Sequence, residues 1–102
     1  MWKMYVVRCA DSSYYCGITT DTNRRLDEHN GKIPKKGAKY TRSRRPVMLF
    51  YEEDHPDRSS ASKAEAAFKK LNRRQKLKYM SDQVTTNLEK ELSSYQTQFE
   101  GE

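Results

Sequence analysis

The stretch YYCGITTDTNRRLDEHN, residues 14–30, decides how the rest of the chain is interpreted. Its first five residues are aromatic, small or β-branched and predict a strand, and the residues that follow predict a helix. Thr20 or Asp21 can cap the start of this helix. Asn30 followed by Gly31 is typical of its end. The stretch is therefore predicted to be a strand that leads directly into a helix.

The residues before this stretch predict a second strand that pairs with the first. MWKMYVVRC, residues 1–9, is rich in aromatic and β-branched side chains, and ADSS, residues 10–13, has the composition of a turn. Tyr5 and Tyr15 would lie on these two strands. Since side chains alternate along a strand, they share a face only if the turn holds an odd number of residues or the sheet has a bulge.

The residues after this stretch predict one more strand and two helices. Residues 31–46 are expected to be a loop, and PVMLFYEE, residues 46–53, a strand buried on both faces because its apolar run is nearly continuous. A helix should begin near Ser59 or Ser60 and end near Leu71. Asn72 and Gln75 have the spacing of a capping box, so a third helix should start there. The element order is β-β-α-β-α-α.

Composition limits the class of protein. The chain has 102 residues, fitting one small domain, and 11% aromatic residues, which argues against disorder. It has no apolar run of about 18 residues and no recognisable signal peptide, so no membrane span is expected. Its two cysteines, Cys9 and Cys16, lack metal-type spacing and are expected to be small core residues. A reduced, cytoplasmic protein is the simplest interpretation.

The charge is unevenly distributed. Residues 81–102 hold five acidic side chains and one lysine, a net of −4, and predict an acidic helical tail. Since the whole chain carries +6, residues 1–80 carry +10, which would attract polyanions. Seven bases and no acid lie within residues 32–45, which we call the basic segment. A surface that merely keeps the protein soluble, or one that meets an acidic protein partner, remains an alternative, and the tail could fold over the basic face.

One set of residues resembles a known family. Tyr5 lies on the first predicted strand and Tyr15-Cys16-Gly17 on the second, and Arg25 and His29 lie one helical turn apart. Residues 36–42, within the basic segment, read KGAKYTR, and Glu65 lies on a later helix. This pattern resembles the small stand-alone bacterial members of the GIY-YIG endonuclease superfamily over about residues 2–80. The resemblance implies an α+β fold, with a small three-stranded antiparallel sheet flanked by helices and followed here by the tail.

The resemblance also implies catalytic roles. Glu65 would be the single protein ligand of Mg²⁺ (or Mn²⁺), and its alternative is an exposed i,i+4 ion pair with Lys69. Tyr15 would be the general base, supported by Tyr5. Since a free phenol has a pKa of about 10, this role requires positive charge nearby.

Arg25 and His29 would act on the phosphate. Arg25 offers a planar fork of donors that matches phosphate oxygens, and His29 could donate to a phosphate oxygen or transfer a proton. The alternatives are a surface pair of Arg25 with Asp21, and a His29 that is favoured by the negative end of the helix dipole. Gly17 would let a phosphate or another backbone approach, or would simply end its strand.

A second set of residues is expected to bind nucleic acid. Besides Gly17, it comprises Lys39, Tyr40, Thr41, Arg42, Arg44 and Arg45. The cations would neutralise phosphates, and Tyr40 could stack on an unpaired base. A solvated loop is the alternative for Lys32, Lys35 and Lys36. His55, beside a proline, is expected to be an ordinary surface residue.

These features favour a metal-dependent endonuclease that cuts DNA with little sequence specificity, in DNA repair or processing. A protein partner could supply the specificity, since the sequence contains no recognition module that is evident from its motifs. A non-catalytic nucleic-acid-binding module that uses the basic loop 32–45 is the alternative. A protein-interaction domain is a third.

Overall fold

The computed structural model describes residues 1–84, and the chain divides after Lys70 into two units. The elements of the first unit are β1 (Trp2–Arg8), β2 (Tyr14–Thr19), α1 (Thr22–His29), α2 (Lys39–Arg42), β3 (Met48–His55) and α3 (Arg58–Lys69). In the second unit, residues 73–84 are helical. Most of the acidic tail that the sequence predicts to be helical lies outside the described residues.

The three strands form one antiparallel sheet in the order β2-β1-β3, which confirms the predicted α+β class. β1 and β2 are joined by residues 9–13, a loop with an odd number of residues, and Tyr5 pairs with Gly17. Since Gly17 and Tyr15 are two residues apart on one strand, Tyr5 and Tyr15 lie on the same face. The condition that the sequence set for a shared face is therefore met.

The helices α1 and α3 lie on opposite faces of this sheet. Tyr5 and Val7 form a buried cluster against which Leu26 of α1 packs. The first turn of α3 is instead linked to the other face, where Ser60 Oγ lies 2.7 Å from His55 Nδ1. His55 pairs with Trp2 in the sheet, three positions from Tyr5 and so on the opposite side of the pleat.

Both ends of α1 follow the sequence prediction. Asp21 is the N-cap, and its carboxylate accepts a hydrogen bond from Arg24 N at 3.1 Å. Asn30 is the C-cap, and Gly31 follows with a φ of 81°, a left-handed conformation that glycine adopts without strain. The Asn30 amide bonds both Val47 N and Val47 O, which ties the end of α1 to the residue that precedes β3.

The prediction that the third strand is buried on both faces is wrong. Met48 is 63% exposed, and Leu49 and Phe50 are exposed as well. The nearly continuous apolar run indicated a central strand, but β1 takes the central position and β3 lies at the edge of the sheet. A strand with one neighbour has less of its surface covered, whatever its composition.

Some helix boundaries also differ from the prediction. The segment expected to be a loop, 31–46, contains the short helix α2. α3 begins at Arg58 because Asp57, rather than a serine, is its N-cap and accepts from Ser60 N at 2.8 Å. The capping box is confirmed by reciprocal bonds between Asn72 and Gln75 at 2.9 and 3.0 Å.

Two further expectations concern the core and the membrane. Cys9 and Cys16 are both buried and form no disulfide bond, as expected of small core residues. Within residues 1–84, no helix combines the length and the apolar character that crossing a bilayer requires.

Candidate active site

Four of the five predicted catalytic residues meet on the α1 side of the sheet. Tyr5 comes from β1, Tyr15 from β2, and Arg25 and His29 from α1. Tyr5 Oη lies 2.7 Å from His29 Nε2, and Arg25 Nε donates to Tyr5 Oη at 3.3 Å. The rings of Tyr15 and His29 meet edge to face, with centroids 5.3 Å apart. We call these four residues the tyrosine cluster.

A directed chain of hydrogen bonds runs through the cluster. Arg25 Nε can only donate, so Tyr5 Oη accepts from it, and the hydrogen of Tyr5 stays available for His29 Nε2. At the far end, Thr41 Oγ1 donates to the carbonyl oxygen of Ala38 at 3.0 Å. Thr41 Oγ1 must then accept from His29 Nδ1, 2.8 Å away. The Thr41 end therefore requires a hydrogen on His29 Nδ1, and in the neutral tautomer with that hydrogen Nε2 accepts from Tyr5.

Burial keeps both Tyr5 and His29 neutral. Burial raises the pKa of Tyr5 to about 12, and burial together with the charge of Arg25 lowers the pKa of His29 to about 4. Because the pKa of Tyr5 is raised and the pKa of His29 is lowered, the proton stays on Tyr5 at neutral pH. Both ring nitrogens of His29 also contact buried partners, Tyr5 Oη and Thr41 Oγ1, so the helix dipole is not its only interaction.

Arg25 has partners that the sequence did not single out. Its Nη1 donates to Glu28 Oε1 and to the carbonyl oxygen of Lys36, both at 2.7 Å. The surface pair with Asp21 does not form, because Asp21 caps the helix instead. Glu28 lies three residues after Arg25 on α1, a spacing at which side chains meet, so this partner could have been found from the sequence.

The absence of a side chain at Gly17 leaves space for the phenol of Tyr5. A Cβ at this position would lie 2.5 Å from Tyr5 Oη and 2.7 Å from Tyr5 Cζ. β2 continues to Thr19, so the glycine does not end the strand. What approaches the backbone of Gly17 in this structure is the phenol of Tyr5, which is only 1% exposed.

The helix α2 places two consecutive residues against the cluster. The ring of Tyr40 stacks on Tyr15, with centroids 5.7 Å apart, and the Arg44 guanidinium lies 3.9 Å from the Tyr40 centroid. Thr41, which is 0% exposed, contacts His29 as described above. Arg44 is itself held by Asp11 of the hairpin loop at 3.1 Å. Tyr40 therefore already has a stacking partner, and an unpaired base would have to compete with Tyr15 for it.

The remaining basic residues of this segment divide into two kinds. Lys39 and Arg42 are exposed, and Arg42 makes one long bond, 3.5 Å, to the carbonyl oxygen of Gly37. Arg45 is exposed as well, but its Nε donates to the carbonyl oxygen of His29 at 2.6 Å. The guanidinium of Arg45 thus holds the end of α1, while Lys39 and Arg42 face solvent.

Glu65 is not brought into the cluster. It lies on α3, on the other face of the sheet, and the contact that the structure gives it is Lys69 Nζ at 3.4 Å. Its side chain is 24% exposed. Among residues 1–84, no group of three or more His, Cys, Asp or Glu side chains could enclose a metal ion. A single accessible carboxylate still fits Mg²⁺, which usually keeps several waters and takes one or two carboxylates.

A second polar network was missed by the sequence analysis. His55 bonds Ser60 Oγ through Nδ1 and Glu53 Oε2 through Nε2, at 2.7 and 2.6 Å, and Tyr51 donates to Glu53 Oε1. The prediction that His55 is an ordinary surface residue is wrong, because this network joins the end of β3 to the start of α3. The alternation of Tyr51, Glu53 and His55 along one strand was the available signal.

The fold and the cluster together define a class of protein. A β-hairpin that presents two tyrosines to an arginine and a histidine of the following helix is the arrangement that the resemblance implied. The family model described as the GIY-YIG catalytic domain matches residues 1–78. The chain belongs to the GIY-YIG family, a family of nucleases.

Relatives and solved structures support this assignment. The chain is 58% identical over 71 residues to UPF0213 protein DP2720 of Desulfotalea psychrophila, a match that covers 70% of this chain and 63% of that protein. It is 50% identical to a UPF0213 protein of Streptococcus sanguinis, covering 79% and 90%. The solution NMR structure of protein EF2693 from E. faecalis is 45% identical, with a TM-score of 0.55, covering 78% and 82%. The chain thus spans less than two thirds of the first of these proteins and most of the other two.

Proposed function

We propose that this protein is a metal-dependent endonuclease that hydrolyses phosphodiester bonds in DNA with little sequence specificity, in DNA repair or processing. The observation that carries this proposal is the convergence of Tyr5, Tyr15, Arg25 and His29 from three elements onto one face of the sheet. Residues that only fill the core or keep the protein soluble have no need to form a hydrogen-bond chain of this kind.

The two tyrosines take different roles in this proposal. Tyr5 is buried, neutral and bonded at its hydroxyl by both Arg25 and His29, so it does not meet water. Tyr15 is partly exposed, and it is therefore the phenol that can contact an attacking water. Tyr15 acts as the general base, and Tyr5 with His29 fixes the position of the Tyr15 ring.

Positive charge and a metal ion complete the site. Arg25 brings positive charge to the cluster, and this charge favours anionic oxygens of the phosphate. Glu65 would hold Mg²⁺ (or Mn²⁺) through its single carboxylate. When bound, the metal would polarise a phosphoryl oxygen and lower the pKa of a coordinated water.

The exposed residues of the basic segment bind the DNA backbone. Lys39 and Arg42 are solvent-facing and lie on the same short helix as Tyr40 and Thr41, which contact the cluster. Residues 1–80 carry a net charge of +10, which favours a polyanion as partner. Contacts of this kind read the backbone and carry little sequence information, which supports low specificity.

The nuclease unit is proposed to be residues 2–80, with 81–102 as a separate acidic helical segment. A protein partner would supply the specificity that backbone contacts lack. The reaction is proposed to take place in the cytoplasm, a compartment in which the thiols of Cys9 and Cys16 remain reduced.

One observation favours a second candidate, a non-catalytic nucleic-acid-binding module that uses loop 32–45. Glu65 is paired with Lys69 and lies on the helix that covers the opposite face of the sheet. If the Glu65 carboxylate does not act with the cluster, the function that remains is nucleic-acid binding by the basic segment.

A cleavage assay separates the two candidates. Labelled duplex, single-stranded and branched DNA would be incubated with the protein in Mg²⁺, in Mn²⁺ or in EDTA, and binding would be measured on the same substrates. The nuclease proposal expects cutting in metal, none in EDTA, and a large loss in Arg25→Lys, which keeps the charge but not the planar fork. A protein that binds these DNAs and cuts none of them would support the binding module.

A further inference from the structure

Thr41 is the one residue of the basic segment that solvent cannot reach. Its exposed fraction is 0%, although its neighbours Tyr40 and Arg42 on α2 are exposed. A fully buried hydroxyl must find hydrogen-bond partners, and Thr41 Oγ1 has two, His29 Nδ1 at 2.8 Å and the carbonyl oxygen of Ala38 at 3.0 Å. A residue placed in this way cannot touch a phosphate, which excludes the direct DNA contact that the sequence suggested for it.

The bond to Ala38 determines what Thr41 does to His29. A threonine hydroxyl has a single hydrogen, and the carbonyl oxygen of Ala38 can only accept it. The lone pairs of Thr41 Oγ1 are then left for His29, whose Nδ1 must carry a hydrogen to donate. Nε2 is left bare, and it is this nitrogen that accepts from Tyr5 at 2.7 Å.

We propose that Thr41 is a positioning residue of the nuclease reaction: by fixing the Nδ1-protonated tautomer of His29, it keeps Nε2 as the acceptor that orients the Tyr5 hydroxyl. The effect on catalysis rests on the proposed function, whereas the effect of Thr41 on the His29 tautomer does not. It also links the DNA-facing helix α2 to the tyrosine cluster. α2 has only four residues and is too short to be stable alone, so the side-chain bond of Thr41 to its N-cap, Ala38, helps to hold it.

The tautomer can be measured without any activity. Nitrogen-15 NMR of the imidazole side chains at pH 7 reports which ring nitrogen is protonated, and His29→Gln assigns the signals, since the chain has only two histidines. The wild type should show His29 with a protonated Nδ1 and a bare Nε2. A wild-type His29 that is protonated on Nε2 would overturn the proposal outright, even if no variant folds.

Two matched variants test the role of the hydroxyl. Thr41→Val keeps the shape and removes the hydroxyl, so His29 should shift toward the Nε2-protonated tautomer, and kcat for DNA cleavage should fall about tenfold to a hundredfold with a smaller change in KM. Thr41→Ser keeps the hydroxyl and should restore both the tautomer and kcat. A folded Thr41→Val with the wild-type tautomer and kcat would contradict the proposal, and so would a folded Thr41→Ser that fails to restore them.

A third variant separates positioning from a general loosening of α2. Arg44→Gln removes the bond from Arg44 Nη1 to the carbonyl oxygen of Tyr40 and the guanidinium over the Tyr40 ring, but it leaves Thr41 intact. It should not change the His29 tautomer, and a change equal to that of Thr41→Val would contradict the proposal. If the wild type cuts no DNA, the proposed function fails, while the NMR result still decides whether Thr41 sets the tautomer.

Discussion

Tyr5 Oη lies 2.7 Å from His29 Nε2, and neither side chain is more than 1% exposed. This buried pair joins the central strand of the sheet to the end of α1. Because Arg25 donates to the same phenol, the Tyr5 hydroxyl is fixed in direction as well as in position. The pair is therefore a fixed support beside which Tyr15, the partly exposed tyrosine, can contact water.

The buried histidine should make stability depend on pH. The pKa of His29 falls from 6.5 in the unfolded chain to about 4 in the folded one, so between these values only the unfolded state binds the proton. The contribution of His29 to the free energy of unfolding should be complete above pH 6.5. The free energy of unfolding should then fall by about 3 kcal/mol as the pH is lowered to 4. Urea unfolding at a series of pH values measures this change.

The control for this pH dependence is His29→Gln. The variant has no titrating group at this position, so its stability should fall by about 3 kcal/mol less than that of the wild type over the same range. Parallel curves for the two proteins would show that His29 is not the group responsible.

Gly17→Ala should be strongly destabilising for its size. The new methyl would lie 2.5 Å from Tyr5 Oη, and the phenol cannot move away because Arg25 and His29 hold it. We expect a loss of about 1–3 kcal/mol, as for other overpacked cores. In the background of Tyr5→Phe, which lacks the nearest atom, the same substitution should cost less. Equal costs in the two backgrounds, measured by denaturation, would contradict this packing.

Glu65 and Lys69 offer a matched pair of substitutions. Glu65→Gln and Lys69→Gln remove the same partly exposed ion pair, so each should change the free energy of unfolding by less than about 1 kcal/mol. Only Glu65→Gln removes the proposed metal ligand, and only it should reduce Mg²⁺-dependent cleavage, by about a hundredfold or more. If both variants lose activity equally, the ion pair rather than the carboxylate is what matters.

Two arginines of the basic segment should separate binding from stability. Arg42→Ala should leave the fold intact and lower the slope of log affinity for duplex DNA against log salt by about 1, since one phosphate contact is lost. Arg45→Ala should instead destabilise the protein by about 1–3 kcal/mol, because it removes the charged donor to the carbonyl oxygen of His29. Anisotropy titrations in EDTA and denaturation curves measure the two effects, and reversed effects would contradict the assignment.

The sequence predicted the parts of this protein that local chemistry determines. Asp21 and Asn30 with Gly31 mark the ends of α1, and the capping box starts the helix after residue 72, because caps depend on neighbouring residues alone. The family pattern led to Tyr5, Tyr15, Arg25 and His29, which do meet. Whether the loop between β1 and β2 has an odd or an even number of residues could not be predicted, because composition does not determine where each strand ends.

The features that the sequence did not predict depend on contacts between distant residues. The run of Met48, Leu49 and Phe50 indicated a buried strand, but which strand is central is decided by pairing across the whole sheet. Likewise, no local signal distinguishes Arg45, which holds the end of α1, from the solvent-facing Arg42. The burial of Thr41 follows from how α2 packs on His29, and a basic segment gave no indication of it.

The most direct test of the central claim compares two adjacent tyrosines. Tyr14 and Tyr15 are neighbours on β2 and point to opposite faces, and the Tyr14 ring packs on Phe50 instead of on the cluster. Single-turnover cleavage of DNA in Mg²⁺ would be measured for Tyr15→Phe and Tyr14→Phe beside the wild type. We predict a loss of about a hundredfold or more for Tyr15→Phe and nearly wild-type cutting for Tyr14→Phe. Wild-type cleavage by a folded Tyr15→Phe would show that the tyrosine cluster is not the active site.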